Sequence, residues 1–567
     1  MDSEYDPVGK FKEDDTYTFG FANNHGEKHF FDRPNDVWKF LITKRLRRIV
    51  VWSMLPEFGS LCSWHILNAP REDLAKFAYV KEDEPRRLQP YHFRIPRGEK
   101  ETVCYDIQGF FKNSRWKGMR LASLSNMAKF LSNHYEDPSI YKPESPELLA
   151  FLGRRKPETQ REWDLLHERV TQDAYVTSKA AEYLERDLMG CLMTKPNLFR
   201  FRSWGGVARK VFDFPKMNIH MGGDVFCQNA HLIIRDNSPA GRSDCFSTGA
   251  IPSCFYMDVS SLYPLSVIST DALRIEDVEW MEDNELDAIS KPEDVHPYAW
   301  IYGTFQTDGG EDGYWGLPHR GGERNYYLTG TTTGLYNTLD LIASHAKIVG
   351  NVFWGLKPKF TRGRDMHEKY ASYLLKKLEK KFTSEVERTA AKDVLNASYG
   401  SLGLTHPHPS IRSNFPAYSV VLAQSRLLMS QIFDRAPKPI HYCDTDSLFI
   451  ERKTIEGKLF DLTDLERKIA LPVILEEKGH GEHPYIFRSK HYWLSENDYG
   501  FHAVTIDLDD WERVIQTLPS EATVRRQIRG TLLTRSKRAR ELGIGRWMDV
   551  HLSIALDRLS TMFYADN

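Results

Sequence analysis

The spacing of apolar and polar positions divides the chain into segments typical of strands and segments typical of helices. In the first 185 residues or so, short apolar runs such as Arg48–Trp52 are mixed with helical patterns such as Leu121–Leu131. Such a mixture is typical of an α/β unit and predicts one N-terminal domain. From about Asp365 to Tyr399 the pattern becomes strongly helical, and the turn-like Phe382–Glu385 divides it into a helical hairpin.

Two strand-like runs flank this hairpin in the sequence. Cys254–Asp258 and Ile440–Asp444 are each apolar up to a carboxylate and are followed by turn residues. We therefore expect both carboxylates at strand ends. Asp446 follows Asp444 at a spacing of two, so the pair would share one side of a regular strand or converge across a tight turn.

Composition is that of a large protein with several cores. The chain has 567 residues, 41% of them hydrophobic and 12% aromatic, which predicts about three or four domains. Its 7 cysteines form no CxxC pair, which argues against a structural zinc site and a secreted disulfide framework and favours a reducing compartment. No apolar run reaches the roughly 18 residues of a membrane span, and the acidic start does not resemble a signal peptide, so we expect a cytoplasmic protein with no membrane partner.

Net charge is uninformative, but one segment is strongly basic. Lysine plus arginine number 76 against 78 acidic residues. Between Ala522 and Arg540 the charged residues are all basic: Arg525, Arg526, Arg529, Arg535, Lys537, Arg538 and Arg540. This run either follows a phosphate backbone or forms a solvated helix, and the sequence leaves both interpretations open.

The three aspartates suggest metal chemistry. Clustered carboxylates are costly without a cation, and sites made only of oxygen ligands suit Mg²⁺, which also accepts substrate phosphates. Two-metal phosphoryl transfer needs such an arrangement of Asp258, Asp444 and Asp446. Each motif is weak alone, because an Asp-Thr-Asp sequence occurs by chance.

A third block, Lys392–Gly400, lies near the end of the predicted hairpin. Lys380, Arg388 and Lys392 are spaced to lie close to one helical face, where they would bind a triphosphate. The alternative is a basic face that is merely solvated.

Taken together and in this order, the three blocks resemble the motifs of the family B DNA polymerases. Asp258–Pro264 reads like DxxSLYP, Lys392–Gly400 like KxxxNxxYG, and Tyr442–Ser447 like YxDTDS. In size and layout the chain is most similar to the protein-primed branch used by small phages, linear plasmids and some archaeal viruses. The resemblance implies replication of a viral or plasmid genome.

The resemblance also implies a multidomain α/β fold, in which an RNase H-like 3′–5′ exonuclease domain precedes a right-hand polymerase. We expect an exonuclease-like domain over 1–190, a linker and first part of the palm over 191–265, a palm insertion resembling a terminal-protein-binding region over 266–360, short helical fingers over 361–400, the remainder of the palm over 401–480 and a thumb over 481–567.

Roles for individual residues follow from the same resemblance. Asp258 and Asp446 are the expected metal-binding pair, Val259 belongs to the same metal site, and Asp444 supports it. Two Mg²⁺ ions there would activate the primer 3′ hydroxyl. The nucleotide-binding set is Tyr263 as the steric gate against ribose, Asn396 and Tyr399 beside the nascent base pair, and Lys380, Arg388 and Lys392 on the triphosphate. Simple packing of the Tyr263 ring is the alternative for that residue.

Two further elements would contact DNA. Lys490 and Tyr492 resemble the KxY element that touches the primer terminus, although an ordinary amphipathic strand would look the same. His220–Gly223 resembles the YxGG linker with histidine in place of tyrosine, so Gly222 and Gly223 are assigned to DNA binding.

The N-terminal segment carries the acidic residues of a DEDD-type exonuclease in altered form. Asp2 and Glu4 match its opening DxE, Glu57 stands where aspartate is usual (with Ser53 for asparagine), and Asp173 follows Arg169 where a tyrosine is usual. We expect catalysis by these four carboxylates, with Asp2, Glu4 and Asp173 binding two more metal ions. Because Asp2 directly follows Met1, either the first strand is short or the natural start lies upstream.

The spacing of the motifs bears on priming. A segment of roughly 90 residues, Pro264–Trp354, precedes the fingers, as in members that bind a terminal protein. Only about 50 residues separate Lys392 from Asp444, which leaves little room for the second insertion linked to strand displacement and processivity. The expected partners are primer-template DNA, deoxynucleoside triphosphates and a terminal priming protein, with the enzyme a monomer. The alternatives are a protein that is chiefly a 3′–5′ nuclease and a non-catalytic DNA-binding protein.

Overall fold

A computed structural model describes most, but not all, of the chain. The described residues are 2–4, 18–23, 25–32, 34–44, 46, 48–52, 92–97, 100–111, 114–116, 119–141, 145–151, 157–201, 203–212, 225–310, 315–321, 324–360, 366–403, 414–452, 472–488, 490–495, 498–501, 521–527, 547–553 and 562–565. They fall into two compact units. Of the described residues, the first unit contains those of 1–207 and 383–393, and the second contains those of 208–382, 394–527 and 547–567.

The first unit mixes strands and helices. Its strands are β1 (Asp2–Glu4), β2 (Thr18–Ala22), β3 (Lys28–Phe31), β4 (Arg48–Val51), β5 (His92–Arg97), β6 (Lys100–Asp106), β7 (Arg115–Trp116) and β8 (Met119–Arg120). Its helices are α1 (Pro34–Thr43), α2 (Gln108–Phe111), α3 (Leu124–His134), α4 (Pro146–Phe151) and α5 (Gln160–Glu182), and α5 continues into a π-helix at Tyr183–Leu188. The unit contains an antiparallel sheet of order β1-β2-β3 and a mixed sheet of order β4-β6-β5, in which β4 is parallel to β6. These sheets, together with the helices, agree with the predicted α/β character.

Helix α5 is the centre of this unit. It begins with a capping box in which Thr159 and Glu162 satisfy each other's backbone N–H groups. Its buried face packs on β2 so closely that a Cβ at Gly20 would lie 2.2 Å from the carbonyl oxygen of Val170. Glycine at position 20 is therefore required for this approach of strand and helix.

The second unit holds the remaining strands. They are β9 (Ser243–Cys245), β10 (Gly249–Ala250), β11 (Cys254–Val259), β12 (Ile275–Trp280), β13 (Trp300–Thr307), β14 (Leu317–Gly321), β15 (Arg324–Asn337), β16 (Lys347–Phe360), β17 (Ile440–Asp444), β18 (Ser447–Glu451), β19 (Leu475–Gly481), β20 (Tyr485–Arg488), β21 (His491–Ser495), β22 (Asp498–Phe501), β23 (Glu521–Gln527), β24 (Trp547–Ser553) and β25 (Met562–Ala565).

Helices occur between these strands and at the boundary of the units. They are α6 (Trp204–Val211), α7 (Val225–Asp236), α8 (Leu262–Ile268), α9 (Asp283–Asp287), α10 (Thr338–Ala343), α11 (Met366–Leu378), α12 (Glu385–Leu402) and α13 (Phe415–Arg435). Within the ranges given above, no helix has the length and apolar character that a membrane crossing needs.

Two sheets organise the second unit. An antiparallel sheet of order β19-β11-β18-β17-β9 carries the predicted carboxylates. A second sheet, β12-β16-β13-β15-β14 with β25 added to β15, is formed by the segment predicted as an insertion. Helix α13 is buried along most of its length, and the Asn414 side chain caps its start by accepting from the Ala417 N–H at 3.0 Å.

Several sequence predictions are confirmed by these elements. The two strand-like runs are β11 and β17, and the helical hairpin is α11 and α12. The prediction that Lys380 shares a helical face with Arg388 and Lys392 is wrong. Helix α11 ends at Leu378, α12 starts at Glu385, and Lys380 lies between them with φ of 55°. The basic run begins as strand β23, while residues 528–546 lie outside the described ranges.

Candidate active site

A two-residue turn joins β17 to β18 and carries the predicted aspartates. Asp444 ends β17, and Thr445 takes a left-handed conformation with φ of 61°. The Thr445 N–H donates to the carbonyl of Arg242 at 2.5 Å, and the Asp446 N–H donates to the carbonyl of Asp444 at 2.7 Å. These bonds fix the backbone of the turn, so the directions of both carboxylates are set by the fold.

Asp258 lies on the neighbouring strand, level with this turn. In the register of β11 with β18, Asp258 is opposite Ser447. The next residue, Val259, donates its N–H to the carbonyl of Asp446 at 2.7 Å. Asp258 and Asp446, which are 188 positions apart in the sequence, are therefore brought side by side, as the sequence motifs predicted.

The electrostatics of the two carboxyl groups reflect this proximity. Burial, and then the charge of Asp258, raise the pKa of Asp446 to about 7. Burial also raises the pKa of Asp258, against the opposing effect of the Lys478 ammonium. A cation bound between the two carboxylates would relieve both effects, because it favours their ionised forms.

The donor set fits Mg²⁺ bound jointly by protein and substrate. Among the described residues, no three His, Cys, Asp or Glu side chains converge into a metal cage. Mg²⁺ typically takes only one or two protein carboxylates and completes its shell with waters and substrate phosphates. Asp258 and Asp446, with backbone oxygens such as that of Val259, are suitable ligands of this kind.

Two lysines approach the carboxylates. The Nζ of Lys478, on β19, lies 3.5 Å from Oδ2 of Asp258 and 2.6 Å from Oε2 of Glu476. The Nζ of Lys490 lies 3.7 Å from Oδ1 of Asp444. The backbone N–H of Lys490 donates to the hydroxyl of Tyr442 at 2.9 Å.

Tyr492, the second residue of the predicted primer element, packs against strands β17 and β18. The Tyr492 ring lies 4.8 Å from the ring of Phe449 and 5.5 Å from that of Tyr442. Lys490 is thus beside the carboxylates, whereas Tyr492 supports the strands that carry them.

Tyr263 and Tyr399, which the sequence assigns to the nucleotide site, are in direct contact. Their rings stack with centroids 4.1 Å apart and an angle of 14° between planes. The Tyr263 hydroxyl is also close to Gly241, where a Cβ would lie 2.8 Å from that oxygen and 2.7 Å from Cγ2 of Thr445. Gly241 therefore leaves the space that both Tyr263 and the turn at Thr445 occupy.

Buried ion pairs support this region. Arg426 on α13 makes a two-point pair with Asp340, with bonds of 2.7 and 2.8 Å, and also donates to the carbonyl of Pro239 at 2.5 Å. Arg242 pairs with Asp244 at 2.9 Å. Such pairs fix geometry, because removing one partner leaves a buried charge uncompensated.

The basic residues of helix α12 are solvent-exposed. Arg388, Lys392 and Asn396 follow one another at spacing four, and the side chains of all three are exposed. Arg388 is paired with Glu385, which raises the pKa of the arginine. Lys380, although off this helix, is near enough to Glu476 to contribute to the lowering of that carboxyl's pKa, whose main cause is the hydrogen bond from Lys478.

The N-terminal carboxylates are partly described. Strand β1, which carries Asp2 and Glu4, pairs with β2 and packs on α5, the helix that carries Asp173. Oδ2 of Asp173 lies 3.6 Å from a guanidinium nitrogen of Arg169, one turn earlier. The predicted residue Glu57 lies outside the described residues, as do Gly222 and Gly223.

Sequence reasoning missed Glu476, Lys478, Arg242 and Arg426. The contacts of Arg426 with Asp340 and of Lys478 with Asp258 join residues that are distant in the sequence, so no spacing pattern marks them. Arg242 and Glu476 have partners two residues away, in Asp244 and Lys478. A possible signal was the pairing of charges in Leu475–Lys478, immediately after an apolar run.

Similarity to known proteins is found in the fold and not in the sequence. No protein-family model matches the sequence, and no curated protein matches it. Solved structures do match. Phi29 DNA polymerase in complex with primer-template DNA and incoming nucleotide is 14% identical, with a TM-score of 0.57 and coverage of 98% of this chain and 100% of that one.

Two further structures of that polymerase agree. Its post-translocation complex with primer-template DNA is 15% identical, with a TM-score of 0.54 over 87% of this chain and 86% of that one. Its complex with single-stranded DNA is 15% identical, with a TM-score of 0.51 over 87% of each chain. The chain therefore has the fold of Phi29 DNA polymerase, which confirms the resemblance in fold drawn from the motifs.

Proposed function

We propose that this protein is a template-directed DNA polymerase that joins deoxynucleotides to a primer 3′ end. The observation that supports this most directly is the placement of Asp258 beside Asp446 through the hydrogen bond between Val259 and the turn. The fold shared with a DNA polymerase that binds primer-template DNA and nucleotide adds support.

The roles of the residues follow from their positions. Asp258 and Asp446 would hold Mg²⁺ together with Val259, and the bound ions would acidify the primer hydroxyl and offset the charge of the triphosphate. Lys392, Arg388 and Lys380 attract the triphosphate. Lys490 and Tyr492 form the primer side of the site, and Asp444 orients Lys490 through their ion pair.

The stacked tyrosines define the sugar and base position. Tyr263 is close to the catalytic turn across Gly241, so a ribose 2′-hydroxyl entering there would meet the tyrosine ring. Tyr399, which stacks on this ring, and Asn396, three residues earlier on α12, would contact the nascent base pair.

A second activity, 3′–5′ degradation of DNA, is assigned to the N-terminal unit. The packing of β1 on α5 supports it, because this brings the strand of Asp2 and Glu4 to the helix of Asp173.

Initiation on a protein hydroxyl is the third part of the proposal. The separate sheet built from β12 to β16, between the first two polymerase motifs, supports a terminal-protein-binding insertion.

Extension of a recessed 3′ end on a primed DNA template, with Mg²⁺ and deoxynucleotides, tests the main proposal. Wild type is compared with the double variant Asp444→Ala/Asp446→Ala. Substitution of the nearby Asp244 is not used as a control, because Asp244→Asn would break the buried ion pair with Arg242. We expect extension by wild type alone.

Other outcomes are informative. Shortening of the primer without extension would favour the nuclease alternative, and binding of DNA without either reaction would favour the non-catalytic alternative. Equal extension by the double variant would exclude these aspartates as the catalytic site.

A further inference from the structure

The strand beside Asp258 contains an irregularity that places a lysine next to the carboxylates. In the register of β11 with β19, Met257 is opposite Glu477 but Tyr256 is opposite Gly479, so Lys478 is the additional residue of a β-bulge. Bulges beside active sites commonly redirect a side chain. Here the bulge directs the lysine at Asp258.

The contacts of Lys478 are those of a counter-ion. Its Nζ lies 3.5 Å from Asp258, and Glu476, which is opposite Asp258 in the register, holds the same ammonium at 2.6 Å. The Lys478 side chain remains 43% exposed, so it can move away without leaving a buried charge behind. The pairing is therefore weak enough to exchange for another cation.

We propose that Lys478 is a positioning residue that neutralises Asp258 when no metal is bound and competes with the divalent metal for that carboxylate. This inference rests on the proposed function, since it assigns Asp258 to the metal site. Glu476 serves as the acceptor that keeps the ammonium nearby when a metal displaces it from Asp258.

Two opposite consequences follow for neutral substitutions. Lys478→Met removes the competitor, so metal binds more tightly, while the metal-free enzyme loses the charge that compensates Asp258. Glu476→Gln leaves the ammonium with Asp258 as its remaining partner and removes a negative charge, so metal binds more weakly. An exposed pair of this kind is worth about 0.2–1 kcal/mol, which corresponds to a change of up to about fivefold.

Direct titration with Mn²⁺ tests the proposal, with free Mn²⁺ followed by its paramagnetic resonance signal in the absence of DNA and nucleotide. The full-length protein carries Asp173→Ala throughout, so that the N-terminal carboxylates do not contribute. The matched control is Lys357→Met, because Lys357, on β16 of the other sheet, makes a half-buried pair with Glu285 at 2.8 Å. Thermal unfolding is measured in EDTA and in Mn²⁺.

We expect about two- to fivefold tighter Mn²⁺ binding in Lys478→Met, weaker binding in Glu476→Gln and no change in Lys357→Met. We also expect the melting temperature of Lys478→Met to fall in EDTA more than in Mn²⁺. Unchanged or weaker Mn²⁺ binding in Lys478→Met would overturn the inference. If instead the parent itself shows no Mn²⁺ binding that depends on Asp446, the proposed function fails at its metal site.

Discussion

The two sets of carboxylates in this chain differ in how a positive charge is supplied to them. In the sheet β19-β11-β18-β17-β9, Asp258 comes from β11, Asp446 from the turn between β17 and β18, and the nearby Lys478 from β19. In the N-terminal unit, Asp173 has the guanidinium of Arg169 at 3.6 Å, one turn earlier on the same helix. In the first arrangement the cation comes from another strand, and in the second it comes from the same helix.

The two arrangements differ in the cation that a metal would have to displace. Burial and the charge of Asp258 raise the pKa of Asp446 to about 7, so ionising both carboxyl groups without a cation is unfavourable, and Lys478 supplies one beside Asp258. At Asp173, a metal would compete with an arginine of the same helical turn. We therefore expect polymerisation and degradation to respond independently to substitutions in the two sites.

Asp446→Asn should have the largest effect. It removes one charge from the metal site without changing side-chain size, and we expect a loss of primer extension on the order of a thousandfold, since several kcal/mol of charge stabilisation are lost. Degradation of single-stranded DNA should stay at the wild-type level, as measured by gel assay of labelled DNA. A parallel loss of degradation would show that both activities use one site.

Asp173→Asn should give the converse result. We expect 3′–5′ degradation to fall by about a hundredfold or more, because a ligand of the second metal site is lost, while extension is retained. The same labelled primers, with and without deoxynucleotides, report both activities. Undiminished degradation would place the nuclease elsewhere or in a contaminant.

Tyr263→Val tests the proposed nucleotide site through its selectivity for deoxynucleotides over ribonucleotides. The ring is replaced by a smaller group, so we expect the preference for deoxynucleotides over ribonucleotides to fall by at least about tenfold. Tyr263→Phe keeps the ring stacked on Tyr399 and should keep the preference. Single-nucleotide incorporation kinetics measure both, and equal selectivity in the valine variant would leave Tyr263 a packing residue.

Arg169→Met should produce a smaller change in the N-terminal unit. Removing the guanidinium removes one competitor for the Asp173 carboxylate, and we expect degradation to reach half its maximum at about two- to fivefold lower Mn²⁺ concentration. The Mn²⁺ dependence of extension serves as the internal control. A higher Mn²⁺ requirement would mean that Arg169 contacts the DNA instead.

The smallest effect concerns stability and pH. With its folded-state pKa raised to about 7, Asp446 binds its proton more tightly in the folded than in the unfolded chain, so metal-free stability falls as pH rises from about 4 to 7. In EDTA, we expect Asp446→Asn to melt a few degrees higher than wild type at pH 8 and to show a clearly smaller difference at pH 5. Calorimetric scans at both values check this, and an equal difference at both would contradict the assigned pKa.

Local patterns predicted the parts of the fold that are local. The sequence predicted strands β11 and β17, the helical hairpin and the turn at Asp444–Ser447. It could do so because the formation of a strand, helix or turn depends largely on the pattern of neighbouring residues. The start of α3 at Leu124, three residues after the predicted start, reflects the usual uncertainty of helix ends.

Other features depend on contacts that the sequence does not encode locally. The bulge that presents Lys478 exists only in the pairing of β19 with β11, and the pair of Arg426 with Asp340 joins two helices of the second unit. The spacing of Lys380, Arg388 and Lys392 suggested one face, but the chain leaves the helix after Leu378 and the inference failed there.

The strand order of the sheet β19-β11-β18-β17-β9 has a consequence for synthesis of the chain. β11 pairs with β18 and β19, and β9 pairs with β17. Strands near residue 250 therefore cannot pair until residues 440–480 have been made. Sheets with such distant partners form slowly and leave strand edges exposed meanwhile. On the ribosome, Asp258 and Asp446 cannot be brought together until β18 has emerged, so a growing chain cannot form the paired carboxylate site before then.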